Sequence, residues 1–293
     1  MAGAHLHVFP DARRFGRSLQ RATGLAVSAV RLHTFPDGET LVRVDHPRGA
    51  DAVLVRSLYD PNAKLLEVLC AADALRRAGA RRVTLVAPYL PYMRQDRVFS
   101  AGEPNSQRVV GALLGGAFDR LLTVEAHLHR IQRLAEVVPG ARARSLCAAP
   151  ALAEWLAARR RDTLLVGPDA ESAPWVRALA RRVAMPWIVG AKVRRGDRRV
   201  EVRLPALPAV RRAVLIDDIA SSGATLAAAA RALHRAGIGR IDAIVVHALI
   251  QPAALARLQR AGVRRLLSCD TVPHPSNAIS VAPLLAAALA GQR

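Results

Sequence analysis

The chain predicts an α/β protein of two domains, each a mostly parallel sheet flanked by helices, with a flexible β-hairpin flap on the second. Three observations carry this expectation. Short β-rich runs alternate along the sequence with Ala/Leu/Arg helical segments, the pattern of parallel strands joined by helical crossovers. A length of 293 residues, with 52% hydrophobic and 23% charged residues, accommodates two α/β domains of ordinary size. Lys192–Leu204 (KVRRGDRRVEVRL) alternates Arg and Val around a Gly-Asp turn, which reads as a hairpin projecting from the second domain.

Taken in order, strands are expected at His5–Phe9, Ala52–Ser57, Arg82–Ala87, Arg120–Val124 and Thr163–Val166, then at Trp187–Gly190, Ala213–Ile216, Ala243–His247 and Arg265–Ser268. Helices are expected over Ala63–Ala78, Gln107–Gly115, Ala149–Arg160, Ser172–Arg182, Thr225–Ala236 and Ala253–Ala261. Gly79, Gly237 and Gly262 close helical runs just before the next strand and suit left-handed C-terminal caps. The domains divide near Ala148–Pro150, giving 1–147 and 148–293, with no convincing internal repeat. In such sheets ligands gather at the carboxyl ends of the strands.

Net charge is +20 and the isoelectric point about 11.6. Of the 43 basic residues only Lys64 and Lys192 are lysine, and the arginines spread over helix faces instead of gathering in a tail. Aromatic residues make up 4%, too few for a surface that stacks bases. A basic cleft for a phosphate-rich small substrate accounts for the charge, and neither nucleic acid nor a membrane is expected as partner. No apolar run reaches the roughly 18 residues of a membrane span. The start, MAGAHLHVFPDARR, lacks a basic-then-apolar secretory pattern, so a cytoplasmic location is expected. Cys70, Cys147 and Cys269 are far apart, lack metal-ligand spacing and read as reduced, buried thiols.

The strongest local signal is VLIDDIASSGATL at residues 214–226. An apolar strand ends in Asp217-Asp218, a turn of small residues follows (Ser221, Ser222, Gly223, Ala224), and Thr225 opens a helix. Successive backbone N–H groups at such a turn, backed by a helix N-terminus, cradle a phosphate monoester. The two carboxylates can hold ribose hydroxyls, directly or through a cation. Elsewhere, Arg94-Gln95-Asp96-Arg97 sets two guanidinium forks in a loop after a strand, suiting a triphosphate. Asp37 and Glu39 flank Gly38 in a tight turn after Phe35, able to accept from an exocyclic amine. His127 and His129 would share one face of a strand. Lys192, in a chain that writes Arg almost everywhere, marks a need for a compact ammonium; Arg194 lies two positions on, on the same face of the flap.

VLIDDIASSGATL resembles the phosphoribosyl diphosphate (PRPP) binding motif of type I phosphoribosyltransferases and PRPP synthases. Further segments are similar only to the second, the ribose-phosphate diphosphokinase family: FPDGE at 35–39, RSLYDPNAKLLEVLCAADALRRAGA at 56–80, PYMRQDR at 91–97, VEAHLHRIQ at 124–132 and CDTVPHPSNAISVAPLLA at 269–286. They run in register over nearly the whole chain. The resemblance implies two phosphoribosyltransferase-like domains, the first on the ATP side and the second on the ribose 5-phosphate side. It implies ATP binding by Phe35, Asp37, Gly38, Glu39, Arg94, Gln95, Asp96 and Arg97, and ribose 5-phosphate binding by Asp217, Asp218 and Ser221 to Thr225. It further implies magnesium ligation by His127 and Asp169, with Lys192 and Arg194 as catalytic cations. His129 falls where the family has small residues and stays a possible ATP contact. The family's Asp37–Glu39 loop serves a neighbouring subunit, which implies a homo-oligomer, a dimer at least.

Three departures stand out. Glu171 and Ser172 replace a Gly-Gly turn after Asp169, from which activity independent of inorganic phosphate is expected. Ser222 and Ala224 replace Thr and Gly, and Glu125 replaces Asp. The implied activity is transfer of the diphosphoryl group of ATP to the anomeric hydroxyl of ribose 5-phosphate, giving PRPP and AMP with Mg²⁺. A type I phosphoribosyltransferase shares the 214–226 motif but has no use for the Asp37–Glu39 and Arg94–Arg97 loops. A non-catalytic regulatory relative has no use for intact Lys192, Arg194, His127 and Asp169.

Overall fold

The computed structural model describes residues 3–128, 130–157, 162–195 and 199–291. They form two compact units, Met1–Cys147 with the C-terminal segment from Val281, and Ala148–Ser280.

In the first unit the elements are β1 (Ala4–Val8), α1 (Arg13–Thr23), β2 (Ala26–Ala29), β3 (Arg31–Thr34), β4 (Thr40–Arg43), β5 (Asp51–Val55), α2 (Pro61–Arg77), β6 (Val83–Val86), α3 (Ser106–Ala117), β7 (Arg120–Val124) and β8 (Arg142–Leu146). Six strands run parallel in the order β2-β1-β5-β6-β7-β8, while β3 and β4 pair as a separate antiparallel hairpin. The continuous apolar runs Ala52–Val55 and Val83–Val86 are wholly buried, as central parallel strands covered on both faces require.

The second unit contains α4 (Ala149–Ala157), β9 (Thr163–Gly167), α5 (Ala173–Val183), β10 (Trp187–Val189), β11 (Ala191–Arg195), β12 (Arg199–Arg203), β13 (Arg212–Ala220), α6 (Ala224–Arg235), β14 (Arg240–Ala248), α7 (Pro252–Arg260), β15 (Val263–Cys269) and β16 (Asn277–Ile279). Its sheet is again parallel, in the order β10-β9-β13-β14-β15-β16. Leu164, Leu215, Ile241 and Val245 pack against Leu226, Ala230, Leu233 and Leu258 of α6 and α7, each large side chain contributing roughly 1.5–3 kcal/mol on burial. Gly79, Gly237 and Gly262 all have positive φ, as left-handed helix ends demand.

Two expectations are corrected. The last helix, α8 (Ala282–Ala290), belongs to the first unit and not to the second. Its sequence APLLAAALA is apolar on most sides, and it packs against α1, whose Phe15, Gly16 and Leu19 are buried. The thiols are not all buried either: Cys70 and Cys147 are exposed, while Cys269 is buried. Strands β11 and β12 form the expected hairpin, but Val202 is buried in the core against α6, which anchors its base. The turn at Gly196-Asp197 and the side chain of Arg194 lie outside the described residues, as do His129 and the expected end of α4 at 158–160.

At the carboxyl ends of β1 and β5 lies an ionic quartet whose Arg56 and Glu67 are buried. Arg56 donates from Nε to Asp11 Oδ1 (3.1 Å), pairs with Glu67 through Nη1, and stacks 4.1 Å over the Phe9 ring. Lys64 completes it, 3.0 Å from Asp11 Oδ2 and 3.2 Å above the Tyr59 ring. Two cations meet two carboxylates, so no buried charge lacks a counterpart. No helix among the described residues is long and apolar enough to cross a membrane.

Candidate active site

In the second unit the chain changes direction between β9 and β13, since β10 lies on one side of β9 and β13 on the other. Ligands of open α/β sheets bind at the carboxyl ends of strands flanking such a point. Asp169 follows β9, and Asp217-Asp218 lie within β13, which runs on to Ala220 instead of stopping at Ile216 as expected. Asp217 Oδ1 accepts from the Asp218 amide (3.0 Å). Burial, then the neighbouring carboxylates of Asp218 and Asp169, push the Asp217 carboxyl well above the usual carboxylate range.

After β13 the chain turns through Ser221 and Ser222 to Gly223, whose φ of 67° makes it a left-handed N-cap of α6. The helix begins at Ala224, one residue before the expected start at Thr225. Ala224 is not among the residues with positive φ, so the side chain replacing a glycine there meets no backbone penalty. Ser222 Oγ accepts from the Ala224 amide (3.4 Å). Gly223 is confined from behind: a Cβ there would lie 3.2 Å from Ile250 Cδ1 and 3.3 Å from Leu258 Cγ. Glycine, αL turn and the first amides of α6 together form an anion cradle.

Lys192, on β11 opposite Val202, points its ammonium at this edge, with Nζ 3.8 Å from Asp169 Oδ2. The residues that replace the Gly-Gly turn fold tightly. Ala170–Ser172 form a 3₁₀ turn in which Ser172 donates from Oγ (2.6 Å) and from its amide (3.2 Å) to the Asp169 carbonyl, while Glu171 stays exposed.

The donor set bears on a metal. Asp169, Asp217 and Asp218 gather three carboxylates with like-charge repulsion in a half-buried setting, which a hard, oxygen-seeking dication relieves. Among the described residues no three His, Cys, Asp or Glu side chains already converge on one point, so water and ligand oxygens would fill the remaining positions. The residues fit Mg²⁺ in that sense.

In the first unit, Arg94–Arg97 follow β6 and His127 follows β7, both at the carboxyl edge of the sheet. Three non-glycine residues with positive φ stand along this edge: Asp60 (49°), Tyr92 (64°) and Glu125 (40°). Strain of this kind concentrates where a fold presents side chains for function. Arg94 and Arg97 are exposed, with Arg97 4.7 Å over the Phe99 ring. Asp96 Oδ2 lies 3.4 Å from Arg130 Nε, tying the arginine loop to the histidine segment. Half-buried His127 follows Ala126, whose amide donates to Ser145 Oγ of the neighbouring β8 (2.9 Å).

The Phe35–Glu39 loop is the tip of the β3-β4 hairpin and is exposed throughout. Its turn is closed by the Gly38 amide donating to the Phe35 carbonyl (2.9 Å) and by Glu39 donating to Asp37 Oδ1 (3.1 Å). Phe35 is steadied edge-on by the His33 ring (4.7 Å).

Residues 7–117 match the model of the N-terminal domain of ribose phosphate pyrophosphokinase, and residues 145–284 match the phosphoribosyl transferase domain. The ribose-phosphate pyrophosphokinase of Methanopyrus kandleri is 34% identical over 280 residues, covering 94% of this chain and 95% of its own. The chain belongs to the ribose-phosphate pyrophosphokinase family. A second pyrophosphokinase, from Pyrococcus furiosus, is 32% identical over 259 residues, or 88% of this chain and 91% of its own. Among solved structures, phosphoribosylpyrophosphate synthetase from Mycobacterium smegmatis matches with a TM-score of 0.84 at 27% identity, covering 99% of this chain and 98% of that one.

The sequence does not announce the residues that hold the Arg94–Arg97 loop: Asn62, Asn105, Gln107 and Arg130. Asn105-Ser106 before the apolar run of α3 is a legible N-cap signature. The pairing of Arg130 with Asp96 spans two loops and leaves no local signal.

Proposed function

We propose that the protein is a Mg²⁺-dependent ribose-phosphate diphosphokinase that forms PRPP and AMP from ATP and ribose 5-phosphate. What supports this reading is the presence, on one chain of this family, of a phosphate cradle beside an acidic strand end and of a separate arginine loop on a strained sheet edge. The amides at Ser221–Thr225 would take the 5-phosphate and Asp217-Asp218 the ribose hydroxyls. Arg94 and Arg97 would take the ATP phosphates.

In the reaction the anomeric oxygen bonds to the β-phosphorus of ATP while the bond from that phosphorus to the α,β-bridging oxygen breaks. AMP leaves with the electron pair, and the anomeric proton passes to solvent or a phosphate oxygen. Mg²⁺ would neutralise phosphate charge, with Asp169 a candidate ligand in the second unit and His127 a candidate ligand in the first. Lys192 and Arg194 would balance the negative charge that develops on the transferring group, a charge-stabilising role that needs no proton transfer.

The exposed Phe35–Glu39 tip finds a use in a homo-oligomer, where a neighbouring subunit's adenine would meet Asp37 and Glu39. The enzyme would work in the cytoplasm. With Glu171 exposed beside the Asp169 turn, a carboxylate stands near where an activating anion would approach, so the rate would be the same with and without inorganic phosphate. Strong activation by phosphate would overturn that part.

The test of the whole is direct. Purified protein with ATP, Mg²⁺ and ribose 5-phosphate should release AMP and PRPP only when the sugar is present. No AMP under varied metal and phosphate would sink the proposal and favour a regulatory subunit.

A further inference from the structure

Any loop that offers arginines to a triphosphate faces a backbone problem. Its carbonyl oxygens are the negative ends of peptide dipoles, and those turned toward the ligand repel it. Here four of the five carbonyls of the Tyr92–Asp96 segment accept from other donors. The Tyr92 carbonyl accepts from the Gln95 amide (3.0 Å), closing the turn. The Met93 carbonyl accepts from Gln107 Nε2 (3.1 Å), and the Gln95 carbonyl from the Gln107 amide (3.1 Å). The Asp96 carbonyl accepts from Asn105 Nδ2 (3.1 Å).

Two of these donors are side chains at the start of α3. Asn105 is its N-cap, and its Oδ1 also accepts from the Arg108 amide (3.2 Å). Gln107 is 2% exposed, an amide side chain placed in the interior beside Met93, which is equally buried. From the opposite side, Tyr92 Oη donates to Asn62 Oδ1 at the start of α2 (2.6 Å), holding a residue whose φ is +64°. The free amides of a helix start are thus joined to the loop in place of solvent.

We propose that Gln107, with the N-cap Asn105, is a positioning residue for nucleotide binding. It holds the Met93–Asp96 carbonyls toward α3, so that the Arg94 and Arg97 guanidinium groups meet ATP from a fixed mount. The inference rests on the reading of this loop as the ATP-phosphate site. Its consequence is asymmetric. Loss of the Gln107 amide leaves a buried carbonyl without a donor, and that carbonyl turns outward, against the phosphates.

Gln107→Leu keeps the size and helix preference while deleting the donor. Asn105→Ser keeps an N-cap oxygen for the Arg108 amide and deletes only the donor to Asp96. Each should raise the KM for ATP about tenfold, while leaving the KM for ribose 5-phosphate and kcat near wild type. Calorimetric titration with ATP alone should show the same loss of affinity. Asn105→Ser should melt with the wild type, so it carries the test if Gln107→Leu does not fold. A folded variant that binds ATP as the wild type does overturns the inference, as does an equal rise in both KM values. Failure of the wild type to form AMP, with ATP binding intact and weakened in the variants, would overturn the proposed reaction and leave this assignment standing.

Discussion

The ammonium of Lys192 lies 3.8 Å from Oδ2 of Asp169, so one of the two lysines in the chain rests on the carboxylate that begins the second unit's acidic edge. The pair is partly exposed, and its own contribution to stability is small. Lys192→Ala is therefore expected to lower kcat by ~10²–10³-fold with the melting temperature moved by less than ~2 °C. Lys192→Arg should restore only part of the rate, because a planar fork does not replace a compact ammonium. Steady-state kinetics beside thermal melts read both, and full activity in the alanine variant would remove Lys192 from the chemistry.

Gly223 is the second point of leverage. Its φ of 67° strains any side chain, and a Cβ would press Ile250 and Leu258 aside by a few tenths of an ångström. Gly223→Ala should cost about 1–2 kcal/mol in backbone conformation alone. It should also raise the KM for ribose 5-phosphate far more than that for ATP. Equal changes in the two KM values would show that the turn is not the sugar-phosphate cradle.

The acidic edge predicts a response to metal without substrate. Because burial, Asp218 and Asp169 all oppose ionisation of Asp217, a bound dication should stabilise the fold, by about 2.7 kcal/mol at a hundred times its dissociation constant. Magnesium chloride should raise the melting temperature over sodium chloride of equal ionic strength. Asp217→Asn should shrink the increment. EDTA should abolish both the increment and AMP formation.

A histidine group in the first unit sets the response to acid. His7, buried on β1, lies with Nε2 2.9 Å from His46 Nδ1, while His46 Nε2 lies 3.2 Å from the Ala50 carbonyl. The tautomers follow if His46 donates to Ala50 and His7 donates to His46, which leaves His7 Nδ1 buried without a partner. His5 is close by, its ring centroid 5.0 Å from that of His7. Burial first, then the charges of His46 and His5, lower the His7 pKa from 6.5 to about 3. Unfolding thus takes up a proton between these values, so His7 contributes stability in full above pH 6.5 that declines as pH falls toward 3. At pH 5 the loss is about 2 kcal/mol. Urea titrations at pH 7 and pH 5 should show a smaller loss for His7→Leu than for the wild type, whose remaining groups titrate alike in both.

Much of this was legible in the sequence, and what was missed shares a cause. The central strands β5, β6, β9 and β14 announce themselves as apolar runs because both faces are covered. The strands that escaped notice are edges or belong to the hairpin: β2 is AVSA, mostly exposed, and β8 is RARSL, whose Ala143 and Leu146 lie three apart and so make no alternation. Helix α1, RRFGRSLQRAT, hides behind its arginines, with Phe15, Gly16 and Leu19 its buried residues. At the candidate site, residue types at fixed spacing revealed Asp217-Asp218 and Gly223. The donors behind the arginine loop act across the fold, and only folding brings Gln107 to Met93.

Both sheets share one strand order, β2-β1-β5-β6-β7-β8 and β10-β9-β13-β14-β15-β16, so each offers a crevice where that order reverses. In the second unit the crevice lies beside Asp169, met by Lys192, and Asp217, crowded by two neighbouring carboxylates. In the first it is filled from within, where Arg56 and Lys64 neutralise Asp11 and Glu67. Sequence change is then restricted in both units for opposite reasons. The second crevice keeps its carboxylates crowded until a ligand arrives, whereas in the first Arg56 and Glu67 cannot lose each other without one being stranded in the interior.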